Sequence, residues 1–421
     1  MIRQKLRALL FSVSLAAALP LVLPTAAHAE AGPVERVTTA VPFPRGLQMV
    51  DGDLVVLARG RVRGSGGVSA EVEDRAGTLF VVDPTVSQPA DEPEVSPAVR
   101  NNARVLAEPT DPPFMLWDRT SNPPEADTRT DRPYCVLRYH AASRSLFICG
   151  FSGIDMPPRP GAASFSKNAT DSVLRYDLRT GKWSELERHQ AGTWDYPHHD
   201  PATNDPPHGL LKGPDNLLVV GDWLYAVAKD NSALVRYDLR PYIDNPDAPP
   251  PAGEVVFGET LNVNGLGEQA YSGHSMLAER DGWLYVGYRT SSVIVRVRLT
   301  EDGQVQTPVE AQLVAEFTPF DPKTRETADL TDMDFDKQGR LYVVSAQPAA
   351  VYRFTPDPAN VFDGRRDTGA APWLPLAERL GRDTKSENVL IHDGHVYVTT
   401  GDGYAYQAKA DGTVYRAEIL D

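Results

Sequence analysis

The chain has 421 residues and a formal net charge of −15 at neutral pH. So acidic a surface repels nucleic acid and anionic membranes, which excludes a nucleic-acid partner. Two cysteines exclude a zinc-type cysteine cluster, and length alone permits a single closed all-β domain.

The N-terminus has the tripartite pattern of a secretory signal peptide. Arg3, Lys5 and Arg7 precede an apolar stretch from Ala8 to Leu23, and Ala27-His28-Ala29 is a small-x-small cleavage site. Residues 1–29 are therefore expected to be removed, leaving 30–421 as one exported, soluble domain, periplasmic or secreted. Cleavage removes three positive charges and no acid, so −15 becomes −18. No later segment approaches the ~20 apolar residues of a membrane span, so no membrane insertion is expected. "GSGG" at 64–67 lacks the Lys-Ser/Thr of a phosphate loop, and no nucleotide cofactor is expected.

A repeat runs through the rest. "NLLVVGDWLYAVAKDNSALVRYDL", "SMLAERDGWLYVGYRTSSVIVRVRL" and "DMDFDKQGRLYVVSAQPAAVYRFTP" share a Leu-Tyr pair at 224–225, 284–285 and 341–342. An arginine follows each leucine after twelve residues: Arg236, Arg296 and Arg353. Three looser copies lie at 45–84, 134–178 and 386–419. Each copy has alternating apolar runs, most of them split by Asp-Gly, Gly-Asp or Gln-Gly turns, the signature of hairpins. An outer strand follows most copies: "ARVLAEP", "KWSELERH", "GEVVFGE", "AQLVAEF" and "WLPLAERL". The last copy has none, and "VERVTTAV" at 34–41 is placed to supply it and close the ring. The expectation is an all-β, six-bladed β-propeller of four-stranded antiparallel blades. The blades cover about 45–110, 134–189, 214–259, 274–317, 331–380 and 386–421 plus 34–41. Cys135 and Cys149 fall on adjacent strands if residue 140 pairs with 144. A cross-strand disulfide and two buried thiols both stand open.

In a propeller the first strands line the central channel. One column of strand starts reads Arg45, Cys135, Asp215, His274, Thr331, Glu387. The next reads Gly46, Val136, Asn216, Ser275, Asp332, Asn388. Oxygen ligands of this kind suit a hard cation such as calcium, and a hydrated polar channel needs none. Arg45 would compete with a cation, and either pairs with Glu387 or meets a carboxylate.

These repeats resemble the six-bladed SMP-30/gluconolactonase, paraoxonase, strictosidine-synthase-like and NHL-repeat propellers. The resemblance covers most of the mature chain at the level of blade pattern. It implies a central calcium held by Asn216, Asp332 and Asn388, with Ser275 beside them. The glutamate usual in the first blade is replaced here by Arg45 or Gly46 of "FPRGL".

The loop 193–216, "TWDYPHHDPATNDPPHGLLKGPDN", is expected over the channel mouth, together with 110–133, 258–273, 318–330 and 364–386. His199 or His208 from it, with His274, would supply acid–base chemistry beside a metal-bound water. Arg45, Asp215 and Glu387 would bind substrate. The leading expectation is a divalent-metal-dependent hydrolase of small lactones or esters. A non-catalytic propeller that binds a ligand or protein competes with it, and a quinone-dependent sugar or alcohol dehydrogenase is third.

Overall fold

The structure, a computed structural model, describes residues 31–58, 62–63, 71–72, 77–108, 132–151, 171–188, 211, 214–228, 232–318, 328–364, 371–381, 384–401 and 412–420. His199 and His208 lie outside the described residues, as do the signal-peptide segment and most of 193–216.

The described chain is all-β, with mainly antiparallel blades in a propeller arrangement. The first sheet takes Pro44–Val50, Asp53–Ala58, Leu79–Val82 and Ala103–Ala107 in order. The second takes Arg132–His140, Ser145–Phe151, Asp171–Asp177 and Lys182–Arg188. The third takes Pro214–Val220, Trp223–Ala228, Ala233–Asp238 and Glu254–Phe257. The fourth is built on His274–Arg280, Trp283–Tyr288, Val293–Arg298 and Glu310–Glu316. A sheet of three strands follows, Leu330–Phe335, Leu341–Ser345 and Ala350–Phe354. The last sheet has Lys385–His392, His395–Gly401 and Thr413–Glu418, then Val34–Thr38 and Gln88–Pro89. Val34–Thr38 pairs antiparallel to Thr413–Glu418, with Glu35 opposite Arg416. Five sheets thus carry four or more strands, and one carries three.

The first strands touch one another in chain order, and Lys385–His392 touches Pro44–Val50. The apolar core sits between neighbouring sheets. Phe147, Leu217 and Leu224 fill one such gap, and Leu277, Tyr225 and Val263 the next. Val37, Leu54 and Tyr397 join the last sheet to the first. The second strands Asp53–Ala58, Trp223–Ala228, Trp283–Tyr288 and Leu341–Ser345 are therefore buried on both faces, as a blade packed on two neighbours requires, whereas outer strands such as Glu254–Phe257 keep an exposed side.

The repeat marker has a physical basis. Tyr225, Tyr285, Tyr342 and Tyr397 on second strands stand opposite Arg236, Arg296, Arg353 and Arg416 on third strands. The ring is buried while its hydroxyl needs a partner. The arginine supplies one, as where Arg296 Nη1 donates to the Tyr285 hydroxyl at 3.2 Å. The Arg296 guanidinium also lies 4.3 Å from the centre of the Trp283 ring.

Three local expectations are corrected. "WLPLAERL" forms no outer strand: Leu374 makes one bridge to Val351, and Leu376–Arg379 turns into a short helix. The connection 258–273 does not cover the mouth. Its hairpin, Thr260–Val263 with Gly267–Ala270, pairs parallel to Glu310–Glu316 and widens the fourth sheet outward. His140 pairs with Ser145 rather than with residue 144, and a bulge between Ile148 and Gly150 interrupts the ladder there. No disulfide occurs among the described residues; Cys149 is buried, and the Cys135 side chain lies outside them.

Candidate ligand site at the channel mouth

A β-bulge recurs at the start of the first strands. The ladder skips a residue between Pro44 and Gly46, Pro214 and Asn216, His274 and Met276, and Leu330 and Asp332. Between Ser386 and Val389 two residues, Glu387 and Asn388, stand against the single Thr399. An extra residue in one strand re-aims its side chain. The bulged positions are Arg45, Asp215, Ser275, Thr331 and Glu387.

Three of these meet. Arg45 Nη1 lies 3.4 Å from Glu387 Oε2, and its Nη2 lies 4.0 Å from Asp215 Oδ1. Their side chains are only 10%, 12% and 19% exposed, in the order Arg45, Glu387, Asp215. Arg45, Asp215 and Glu387, expected as ligand-binding residues, are therefore one cluster.

Two further members carry no mark in the repeat. Arg289 follows the strand Trp283–Tyr288, and Asp329 precedes Leu330–Phe335. They form a bidentate pair, Nε to Oδ1 and Nη2 to Oδ2, both at 2.5 Å. Burial pulls the Arg289 pKa down. The bonds to Asp329 and the fields of Asp329, Asp215 and Glu387 outweigh burial, and its net direction is up. The one available signal was position: Arg289 comes directly after a second strand, one residue past the rungs that flank the bulged Ser275.

His274 takes no part in the cluster. Counting back six residues from the first residue of each two-residue turn, Asp51, Gly221 and Asp281, gives Arg45, Asp215 and Ser275, so Ser275 is the positional equivalent and His274 is one residue early. His274 aligns with Pro44 and Pro214, on the packed face. It is fully buried, its ring centroid 4.3 Å from that of Tyr288 and 6.1 Å from that of Phe257. Neither ring nitrogen has a hydrogen-bond partner. Burial depresses its pKa to about 3. A histidine so placed stays neutral and reaches no solvent-borne substrate, which is poor geometry for the expected acid–base role.

Below the cluster the expected metal residues do converge. Asn216 Nδ2 donates to Asp332 Oδ1 at 2.8 Å, and Asn388 Nδ2 donates to Asp332 Oδ2 at 3.1 Å. Val389 N also donates to Oδ2, at 3.2 Å. Arg138 Nη2 reaches Asn216 Oδ1 at 3.2 Å and Asp332 Oδ1 at 3.4 Å. A calcium ion needs six to eight oxygens turned inward. Here one carboxylate is ringed by N–H donors and a guanidinium, so as they stand these residues do not fit that ion. Among the described residues no group of three or more His, Cys, Asp or Glu is arranged to hold a metal.

Asp334 lies two residues further along the same strand face. Its carboxylate accepts from Ile391 N at 2.7 Å and Phe335 N at 2.8 Å. Burial pushes it up to about 6, against the pull of these two bonds and of Arg138, and with a push from Asp332. Between 3.8, its unfolded value, and about 6 the folded chain keeps a proton that the unfolded chain has released. Stability therefore falls as pH rises through that window and is flat above it. The span is worth at most about 3 kcal/mol. Urea melts of wild type and Asp334→Asn across this range are expected to differ by that slope. Superimposable pH profiles would show an ordinary carboxylate.

No protein-family model matches the chain, and no curated protein sequence matches it. Solved structures do. The PQQ-bound aldose sugar dehydrogenase of Streptomyces coelicolor is 13% identical, with a TM-score of 0.46 over 92% of this chain and 98% of that one. The calcium-binding regucalcin of Agrobacterium tumefaciens is 10% identical, with a TM-score of 0.47 over 92% and 93%. A gluconolactonase of Xanthomonas campestris is 11% identical, with a TM-score of 0.44 over 94% and 93%.

Proposed function

We propose that this chain is an exported six-bladed propeller, its ring closed by Val34–Thr38, that binds a small polar ligand at the channel mouth. The observation that supports this reading is the five-member charged cluster. Arg45, Asp215, Arg289, Asp329 and Glu387 come from five different sheets and sum to one negative charge. Taking charges out of water costs several kcal/mol each, and apolar residues would hold the sheets together as well or better. Charges kept at the convergence of five sheets point to recognition of a ligand there. The ligand class is one with both hydrogen-bond donors and acceptors, since carboxylates and guanidiniums alternate.

Binding is favoured over metal-dependent hydrolysis because His274 is sealed in the core and Arg138 stands among the expected metal residues. A thermal-shift screen of small lactones, hydroxy acids, sugars and amines tests the reading. A ligand that raises the wild-type melting point is expected to bind Glu387→Gln about tenfold more weakly, the loss of one charge-assisted bond. It is expected to bind Arg104→Ala, a surface change on an outer strand, as well as wild type. Equal binding to all three proteins would move the site elsewhere. Turnover of a lactone or ester in the same screen, sensitive to chelator, would restore the hydrolase.

A further inference from the structure

Arg138 and Asp332 are 194 residues apart and belong to the second sheet and to the sheet of three strands, with other sheets between them on either side of the ring. The guanidinium crosses from one to the other. It is 13% exposed and Asp332 is fully buried. Its Nη1 also donates to the carbonyl of Leu137 at 3.0 Å, which braces the head from behind.

This placement sets how the neighbouring amides point. Asn216 Oδ1 faces the guanidinium, so Nδ2 must face the carboxylate. Asn388 also turns Nδ2 to the carboxylate, and its Oδ1 is buried with no hydrogen-bond partner. The hydroxyls of Ser275 and Thr331, on adjacent first strands, are likewise buried without partners. The cluster is thus rich in oxygen yet directed as N–H donors, because its positive charge is already supplied by the chain.

We infer that Arg138 is the permanent cation of this channel, and that Asn216, Asp332 and Asn388 form a latent divalent-cation site which Arg138 keeps closed. Without the guanidinium, a half-turn of both amides aims Asn216 Oδ1 and Asn388 Oδ1 inward beside the two Asp332 oxygens. That is an oxygen set a hard cation accepts, with water completing the shell. The inference stands apart from the ligand reading, which concerns the mouth.

The test uses calcium chloride alone, on the full chain, by titration calorimetry and by melts in calcium or chelator. Wild type is expected to take up no calcium and to melt identically in both. Arg138→Ala is expected to melt lower, and to recover in millimolar calcium but not in sodium of equal ionic strength. Adding Asp332→Asn to it should abolish the recovery. Arg138→Gln keeps a polar side chain of similar length, so it serves if the alanine variant fails to fold. It is expected to take up calcium at concentrations where wild type takes up none. Stoichiometric calcium in wild type with a chelator-sensitive melt would overturn the inference. So would variants at position 138 that ignore calcium. A screening hit at the mouth that survives Arg138→Gln would leave the ligand reading intact whatever calcium does.

Discussion

Replacing His274 with phenylalanine is expected to flatten the acid limb of the stability profile and to stabilise the protein at neutral pH. The folded value of about 3 lies far below the ordinary 6.5. Above 6.5 both states are neutral and the folded state carries no titration penalty. As pH falls from 6.5 toward 3 the unfolded chain takes up a proton that the folded chain refuses, so stability is lost. The loss approaches about 5 kcal/mol at the bottom of the window, from 1.36 kcal/mol per unit. Phenylalanine removes that term and the two unpartnered ring nitrogens, each costing about 1–3 kcal/mol when buried. Its ring suits the aromatic walls of Tyr288 and Phe257. Urea midpoints of both proteins between pH 4 and 8 decide it. The Asp334 term is common to both and cancels in the difference. A histidine that exchanges protons with solvent near pH 6.5, seen by NMR, would return His274 to the candidate catalytic residues.

Asp332→Ala is expected to cost about 3–5 kcal/mol, the usual penalty for breaking a buried ion pair from one side. The carboxylate takes Asn216, Asn388, Val389 and Arg138 as donors. Its loss strands a guanidinium and three N–H groups in a site with little water. Arg138→Met with Asp332→Leu removes both charges together. This pair is expected to be less damaging than the alanine change alone, because no uncompensated charge remains. Additive losses would mean that the two side chains do not interact as the geometry has them.

Much of the blade pattern was legible because it is local. Apolar alternation with a two-residue turn is a property of ten or fifteen neighbouring residues, and it marked Trp223–Ala228 and Trp283–Tyr288 directly. The Tyr–Arg pairs were legible for the same reason, as cross-strand neighbours at a constant turn length. Arg45, Asp215 and Glu387 were found by aligning strand starts. The same alignment slipped by one at His274, since the residue at the common distance from the turn Asp281-Gly282 is Ser275. "WLPLAERL" looked like an outer strand by composition, yet Pro375 interrupts it and leaves one bridge and a helical turn.

The sequence by itself determined the all-β repeat and the polar residues at the strand starts. These follow from side-chain period and turn chemistry, which act over a few residues. Only the tertiary structure decided which charges meet. Arg138, Arg289 and Asp329 look like ordinary strand-end or strand-face charges in their own segments. Their partners lie one or more sheets away and become neighbours only when the sheets pack together. It also decided that Asn216, Asn388 and Arg138 converge as donors on the Asp332 carboxylate, since what surrounds that carboxylate depends on what the other sheets send there.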